Sequence, residues 1–81
     1  MAEKTFKEKV KKVFKQEFPE DTVDVSDGYR DNVHVVIVSR KLDGLGEKGK
    51  HELLWEIAQQ GLGENATRIS LLIGYSPVEL K

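Results

Sequence analysis

The chain contains no cysteine among its 81 residues. This absence excludes disulfides, thiolate catalysis, and zinc or iron–sulfur sites held only by cysteines of this chain. Long apolar runs are missing too: no run approaches the ~18 apolar residues that a membrane-spanning helix needs, and no apolar signal region follows Met1. We therefore expect a soluble, cytoplasmic protein that does not enter a membrane.

Recognisable catalytic motifs are missing as well. Only two histidines are present, and no serine stands in a spacing that pairs a nucleophile with a base. No phosphate-binding glycine loop occurs. A paired-histidine metal motif is also missing, because His51-Glu52 is not followed by a second histidine at the required spacing. The length suits one domain, residues 1–81, with little room for a ligand cleft of ~300 Å³ or more. We expect a protein without enzymatic activity.

The charge is nearly balanced, with 13 basic and 14 acidic side chains and a net charge of −1. This balance argues against strong non-specific binding to nucleic acid, which requires that several phosphates be neutralised. Lysines nevertheless crowd the first segment, where Glu3 and Glu8 interrupt them. We interpret this segment as the solvated face of a helix. Its lysines are Lys4, Lys7, Lys9, Lys11, Lys12 and Lys15.

Hydrophobic periodicity in the first half of the chain predicts a helix followed by a hairpin. Apolar residues recur at helical spacing up to Phe18, and the helix stops at Pro19 because the residue before a proline disfavours helical geometry. Alternating apolar residues then predict strands over residues 22–27 and 33–39. The turn between them, residues 28–32, is rich in residue types that tolerate positive φ, so the two strands should pair antiparallel.

The second half predicts a helix, a strand and a terminal turn. A helix from Lys50 to about Gln60 places its leucines on one side and ends at Gly61 and Gly63. A third strand covers residues 67–75, and a proline then opens a terminal turn or short helix. The fold class is therefore α+β, in the order α-β-β-(turn)-α-β-α. We expect a three-stranded mixed sheet with helices packed on one face.

The junction between the second strand and the second helix is the candidate functional region. It runs from Gly44 to Trp55, and small α+β domains tend to place a ligand or a partner's backbone at such a strand–turn–helix corner. Residues 46–49 match the G-x-x-G pattern of KH domains, in which glycines let a nucleic-acid backbone approach. The alternative is a tight turn that needs positive φ before a helix.

His51 is the one histidine that we consider for chemistry. In one interpretation it lies at the edge of the apolar face of its helix and stacks on Trp55, four residues further along. In the other it offers a neutral imidazole to a metal, since imidazole suits zinc, copper and iron. His34 alternates with Val36 and Val38 on a strand, so we interpret it as structural.

An ordered set of segments resembles the BolA-like family. The resemblance spans nearly the whole chain and rests on Asp24–Gly28, the strand Val33–Ser39, the turn Leu42–Gly44, Lys50-His51 at a helix start, and the closing Tyr75–Leu80. Leu42 stands where the family has an aromatic residue. Ser76-Pro77 stands in place of Thr-Pro.

The resemblance implies a fold related to type II KH domains and no enzymatic activity. It also implies pairing with a monothiol glutaredoxin, either around a shared [2Fe–2S] cluster or without one, with His51 as an iron ligand. A cysteine or histidine in the loop between the first two strands would supply a second ligand, but residues 28–32 contain neither. Asp31 in that loop is the candidate for a weaker oxygen ligand, and the alternative is that the chain binds only the partner's surface. The family is also linked to DNA binding.

We therefore expect a non-enzymatic adaptor, a monomer or weak dimer that binds no cofactor by itself. The alternative is a KH-like module for DNA or single-stranded nucleic acid, and a third option is a scaffold with no ligand. Besides the candidate metal ligands His51 and Asp31, the expected binding surface comprises Arg40, Lys41, Gly44, Gly46, Lys48, Gly49, Lys50 and Trp55.

Overall fold

The computed structural model describes residues 4–80, with side chains described up to residue 78. Two helices and three strands follow one another in the predicted order, and the α+β class is confirmed. Short 3₁₀ helices occupy Arg40–Leu42, Gly63–Arg68 and Pro77–Leu80. The main elements are α1 (Lys4–Glu17), β1 (Thr22–Asp27), β2 (Val33–Val38), α2 (Gly46–Leu62) and β3 (Ile69–Tyr75).

The three strands form one mixed sheet in the order β1-β2-β3. β1 pairs antiparallel with β2, placing Val23 opposite Ile37. β3 runs parallel to β2, placing Gly74 opposite Ile37 on the other side. Parallel neighbours need a long crossover connection, which α2 provides. The predicted mixed sheet is confirmed.

Both helices pack on one face of the sheet and enclose the core there. The apolar stripe of α1 meets the alternate valines and isoleucine of β2 that point toward the helices. Burial of these side chains is the main favourable contribution to folding, at roughly 25 cal/mol per Å² of apolar surface. The residues at the centre of this core, all fully buried, are Val10, Phe14, Val33, Val35, Ile37, Leu54 and Ala58.

The third strand begins two residues later than predicted. Residues 63–68 form a 3₁₀ helix instead, in which the Thr67 hydroxyl donates to the Glu64 carbonyl at 2.9 Å. An irregularity in the β2–β3 register then brings both Ile69 and Leu72 to the helix-covered face. Strict alternation along this strand is therefore broken near its start.

The second helix is longer than predicted at both ends. It begins at Gly46 instead of Lys50, and it continues through Gly61 to Leu62. Gly63, at φ 58°, follows its last turn, so the prediction of a glycine stop is correct for Gly63 and wrong for Gly61. Within residues 4–80, neither this helix nor any other has the length and apolar character needed to cross a membrane.

Candidate functional site

Ser39 anchors the corner, by which we mean residues 40–55, the segment that leads from β2 into the first half of α2. Its N–H donates to the Tyr75 carbonyl at 3.0 Å, which ties the end of β2 to the end of β3. Its hydroxyl donates to the Asp21 carboxylate at 2.6 Å and accepts from the Lys41 N–H at 3.0 Å. Ser39 is buried, so one short side chain fixes the exit of the strand and the start of the 3₁₀ helix.

We expect Ser39→Ala to lower the free energy of unfolding by about 1–3 kcal/mol, because the Asp21 carboxylate and the Lys41 N–H each lose a hydrogen-bond partner. Urea denaturation measures this change. Ser26→Ala is the matched control, since Ser26 is an exposed strand serine, and it should change stability by less than about 0.5 kcal/mol. Equal effects of the two substitutions would show that Ser39 does not hold the corner.

Two glycines shape the path from the 3₁₀ helix into α2. Gly44 has φ 78° and Gly46 has φ 69°, a region that residues with a Cβ rarely adopt. A Cβ at either position would meet no heavy atom within 4 Å, so conformation and not space requires glycine there.

The G-x-x-G segment is the first turn of α2 and not a loop. Gly46 opens the helix, Gly49 lies within it, and Leu45 precedes it without a side-chain cap. The predicted helix start at Lys50 is therefore wrong. The positive φ expected in this segment is present at Gly46. The glycine-rich segment continues into a helix whose later turns are buried, so tertiary packing overrides the weak helix propensity of glycine.

A pocket of about 350 Å³, larger than the length of the chain led us to expect, lies between the N-terminal half of α2 and the end of β3. A Cβ at Gly74 would come within 2.7 Å of Leu42 and 2.8 Å of Leu54, so glycine permits close packing of this strand against the corner. The rim carries polar and charged side chains over an apolar floor. The lining residues are Glu47, Lys48, Lys50, His51, Leu54, Leu72 and Gly74.

Lys50 differs most from its predicted role. Its side chain is only 4% exposed, and its Nζ lies 3.0 Å from a carboxylate oxygen of Glu47. The expectation that Lys50 presents its charge to a partner therefore fails, because the ammonium is buried. Lys48 is exposed and remains the cation that the first turn of α2 offers to solvent.

His51 lies on the rim of this pocket, exposed to solvent in the second turn of α2. Trp55 is half-buried against the core, and the two rings stand 5.9 Å apart with a 60° angle between their planes. The predicted proximity of Trp55 is thus confirmed, but the two rings are tilted and not stacked. The imidazole is also accessible to an external group.

The remaining predicted residues lie at different places. Arg40 is exposed, whereas the Lys41 ammonium donates to the Glu17 carbonyl at 2.6 Å and lies over the Phe18 ring. Asp31 lies in the β1–β2 turn, where its carbonyl accepts from Arg68 at 3.2 Å.

The structure does not bring Asp31 and His51 together. Arg68 directly precedes β3, and Gly74, which lines the pocket with His51, lies near the other end of that strand. The two candidate metal ligands therefore lie toward opposite ends of β3. Within residues 4–80, no group of three or more histidine, cysteine, aspartate or glutamate side chains is arranged to hold a metal ion.

Three residues that shape this region were not predicted from the sequence: Ser39, Leu72 and Gly74. An isolated glycine inside a strand pattern is a known sign of close approach, so Gly74 could have been recognised from the sequence. Nothing local indicates that Ser39 would reach Asp21, 18 residues earlier.

Comparisons of the chain with family models, with curated proteins and with solved structures find no match.

Proposed function

We propose that the chain is a non-enzymatic, BolA-like adaptor of the cytoplasm that binds a monothiol glutaredoxin through the corner, residues 40–55. The observation that carries this proposal is the exposed imidazole of His51 on the rim of a small pocket. A histidine in that position can donate a hydrogen bond to a partner or bind a metal through a ring nitrogen.

The fold supports the same proposal. The resemblance implies a fold related to type II KH domains. We expected such a fold to have a mixed sheet with helices on one face, and the chain has that architecture. The positive-φ glycines Gly44 and Gly46 carry no side chain at the corner, which gives a partner's backbone room to approach. The exposed Lys48 would attract an acidic partner surface.

A shared [2Fe–2S] cluster fits this chain only in part. His51 is suited to one iron ligand, because its ring is exposed and an iron–imidazole bond needs only a neutral ring nitrogen. Asp31 lies near the start of β3 and His51 near its end, so the two side chains do not form a ligand pair. We therefore propose that binding to the partner does not require the cluster, and that His51 is the single ligand from the described residues when a cluster is present.

We expect Lys48→Glu to weaken glutaredoxin binding about two- to fivefold, since an exposed charge pair contributes up to about 1 kcal/mol and the reversal replaces an attraction by a repulsion. Isothermal titration calorimetry of the metal-free proteins measures this effect. Lys12→Glu is the matched control, because Lys12 is an exposed lysine of α1 outside the corner, and it should change affinity less than twofold. Equal weakening by both substitutions would indicate a general effect of net charge and would contradict the proposed surface.

A KH-like nucleic-acid module is the second candidate function. The exposed Arg40 and Lys48 at the corner favour it. The helical G-x-x-G turn and the buried Lys50 weigh against it, because the segment is not a loop and offers less accessible charge. Titration with single-stranded DNA or RNA separates the two functions, since phosphate binding weakens steeply as salt rises.

A further inference from the structure

The face of the sheet that is turned away from both helices is largely apolar on β2 and β3. A strand with one face in water normally alternates apolar and polar residues, whereas a strand covered on both faces reads as a continuous apolar run. β2 reads Val-His-Val-Val-Ile-Val and is covered by helices on one face only. Two of its three open-face residues, Val36 and Val38, are therefore apolar where a strand face in water would normally carry polar residues.

The strand register arranges this open face in three rows. One row contains Ser26, His34 and Leu71; the next contains Asp24, Val36 and Ile73; the last contains Thr22, Val38 and Tyr75. In every row the β1 residue is polar and exposed. We name the apolar part of this face the open-face stripe; it consists of Val36, Val38, Leu71, Ile73 and Tyr75.

The side chains of the stripe remain accessible. Leu71 is 39% exposed, and the other four are half-buried by their neighbours in the sheet. Unlike the alternate residues of the same strands, they meet neither α1 nor α2 within the core. The stripe lies on the side of the sheet opposite α2, so it is separate from the corner.

The dimensions of the stripe match one α-helix. Neighbouring strands lie about 4.8 Å apart and alternate residues about 6.6 Å apart, so the stripe is roughly 10 Å wide and about 13 Å long between its outer rows. An α-helix is about 10–12 Å in diameter, and roughly nine of its residues span this length. A stable dimer of two copies would bury about 800 Å² on each, well above what a stripe of this size offers, whereas a single helix can form a smaller, transient interface.

One charged residue beside the stripe, Asp24, favours a particular kind of helix. Asp24 is exposed on the same face, directly beside Val36 in the middle row. A helix lying on the stripe would place its flanking side chains over Asp24, where a lysine or arginine is favoured and a carboxylate is disfavoured.

We propose that the open-face stripe binds an amphipathic helix of a protein partner, one with an apolar stripe flanked by basic residues. Because this surface and the corner lie on opposite sides of the sheet, the chain can bind a partner at each surface simultaneously. The inference depends on the register and on the composition of the open face, and it does not require the glutaredoxin proposal to be correct.

The test uses a synthetic amphipathic peptide of about 18 residues in which leucines recur at i, i+3, i+4 and i+7 and are flanked by lysines. A peptide of the same composition with scrambled leucines is the control. We expect only the first peptide to bind, with amide NMR shifts at residues 34–38 and 71–75. Ile73→Lys should weaken binding at least about tenfold, whereas Gln59→Lys, at an exposed position of α2, should not. Asp24→Lys should also weaken it.

Three results would overturn the proposal: equal binding of both peptides, shifts confined to residues 44–55, or self-association of the wild type that Ile73→Lys abolishes. The last result would identify a second copy as the occupant. If circular dichroism shows that Ile73→Lys does not fold, Ile73→Thr replaces it. This change keeps a β-branched side chain in the strand and still removes apolar surface from the stripe.

Discussion

Gly61→Ala is expected to lower the free energy of unfolding by about 1–3 kcal/mol, although alanine is the better helix former. Gly61 lies within α2 where that helix crosses α1, and a Cβ there would come within 2.9 Å of both γ-methyl groups of Val13. Valine is restricted to essentially one rotamer in a helix, so Val13 cannot turn aside, and the two helices must move apart. Urea denaturation monitored by circular dichroism measures the loss.

A double-mutant cycle isolates this contact. Val13→Ala removes both γ-methyl groups, so Gly61→Ala should be tolerated better in that background than in the wild type. Gly49→Ala is the matched control in the same helix. A Cβ there meets only the Cβ of the exposed Leu45, at 3.3 Å, and stability should not fall. An increase in stability for Gly61→Ala would show that α1 and α2 do not approach closely at this residue.

The second large effect concerns His51. In an iron-loaded co-expression with a monothiol glutaredoxin, we expect His51→Ala to abolish most of the visible absorption that the wild-type complex shows. The expected loss is at least about tenfold, since the loss even of an outer-shell partner of a metal ligand typically costs about 10–100-fold in metal affinity. The exposed imidazole contributes little to the core, so the thermal unfolding temperature should hardly change.

His34→Ala is the matched control for this experiment. His34 lies in the first row of the open sheet face, away from the pocket that His51 borders. Its substitution should leave the absorption of the complex unchanged. If His51→Ala and His34→Ala complexes absorb as the wild type does, His51 is not an iron ligand and the cluster does not involve this imidazole.

Local sequence patterns predict the hairpin well, because its signals are short-range. The bounds of β1 and of the turn at residues 28–32 agree with the structure to the residue. Alternation of valines with polar residues determines which face of β1 is buried, and Arg30, at φ 55°, adopts the left-handed conformation expected in such a turn.

The start of α2 could not be predicted in the same way. Gly46 and Gly49 are weak helix formers, and local propensity therefore favours a turn there. The helix forms nevertheless, because its later turns bury Leu54 and Ala58 in the core and because Gly61 lets it pack closely against α1. Most helical stability in proteins arises from such tertiary packing.

The burial of Lys50 was, by contrast, indicated in the sequence. Lys50, Leu54, Ala58 and Leu62 recur every four residues and form the buried row of α2. Lys50 stands at the start of this row, so its side chain lies on the same helix face as the buried residues. The spacing therefore predicts that Lys50 is buried, although lysine is usually exposed. The ion pair with Glu47 offsets part of the cost of removing the ammonium from water.

The most direct test of the adaptor function is an amide NMR titration of the labelled, metal-free chain with an unlabelled monothiol glutaredoxin. We predict saturable shifts concentrated in residues 44–55, around His51 and Lys48. Shifts that are absent from this segment at high partner concentration, or that appear only on the open sheet face, would contradict the corner as the glutaredoxin-binding surface.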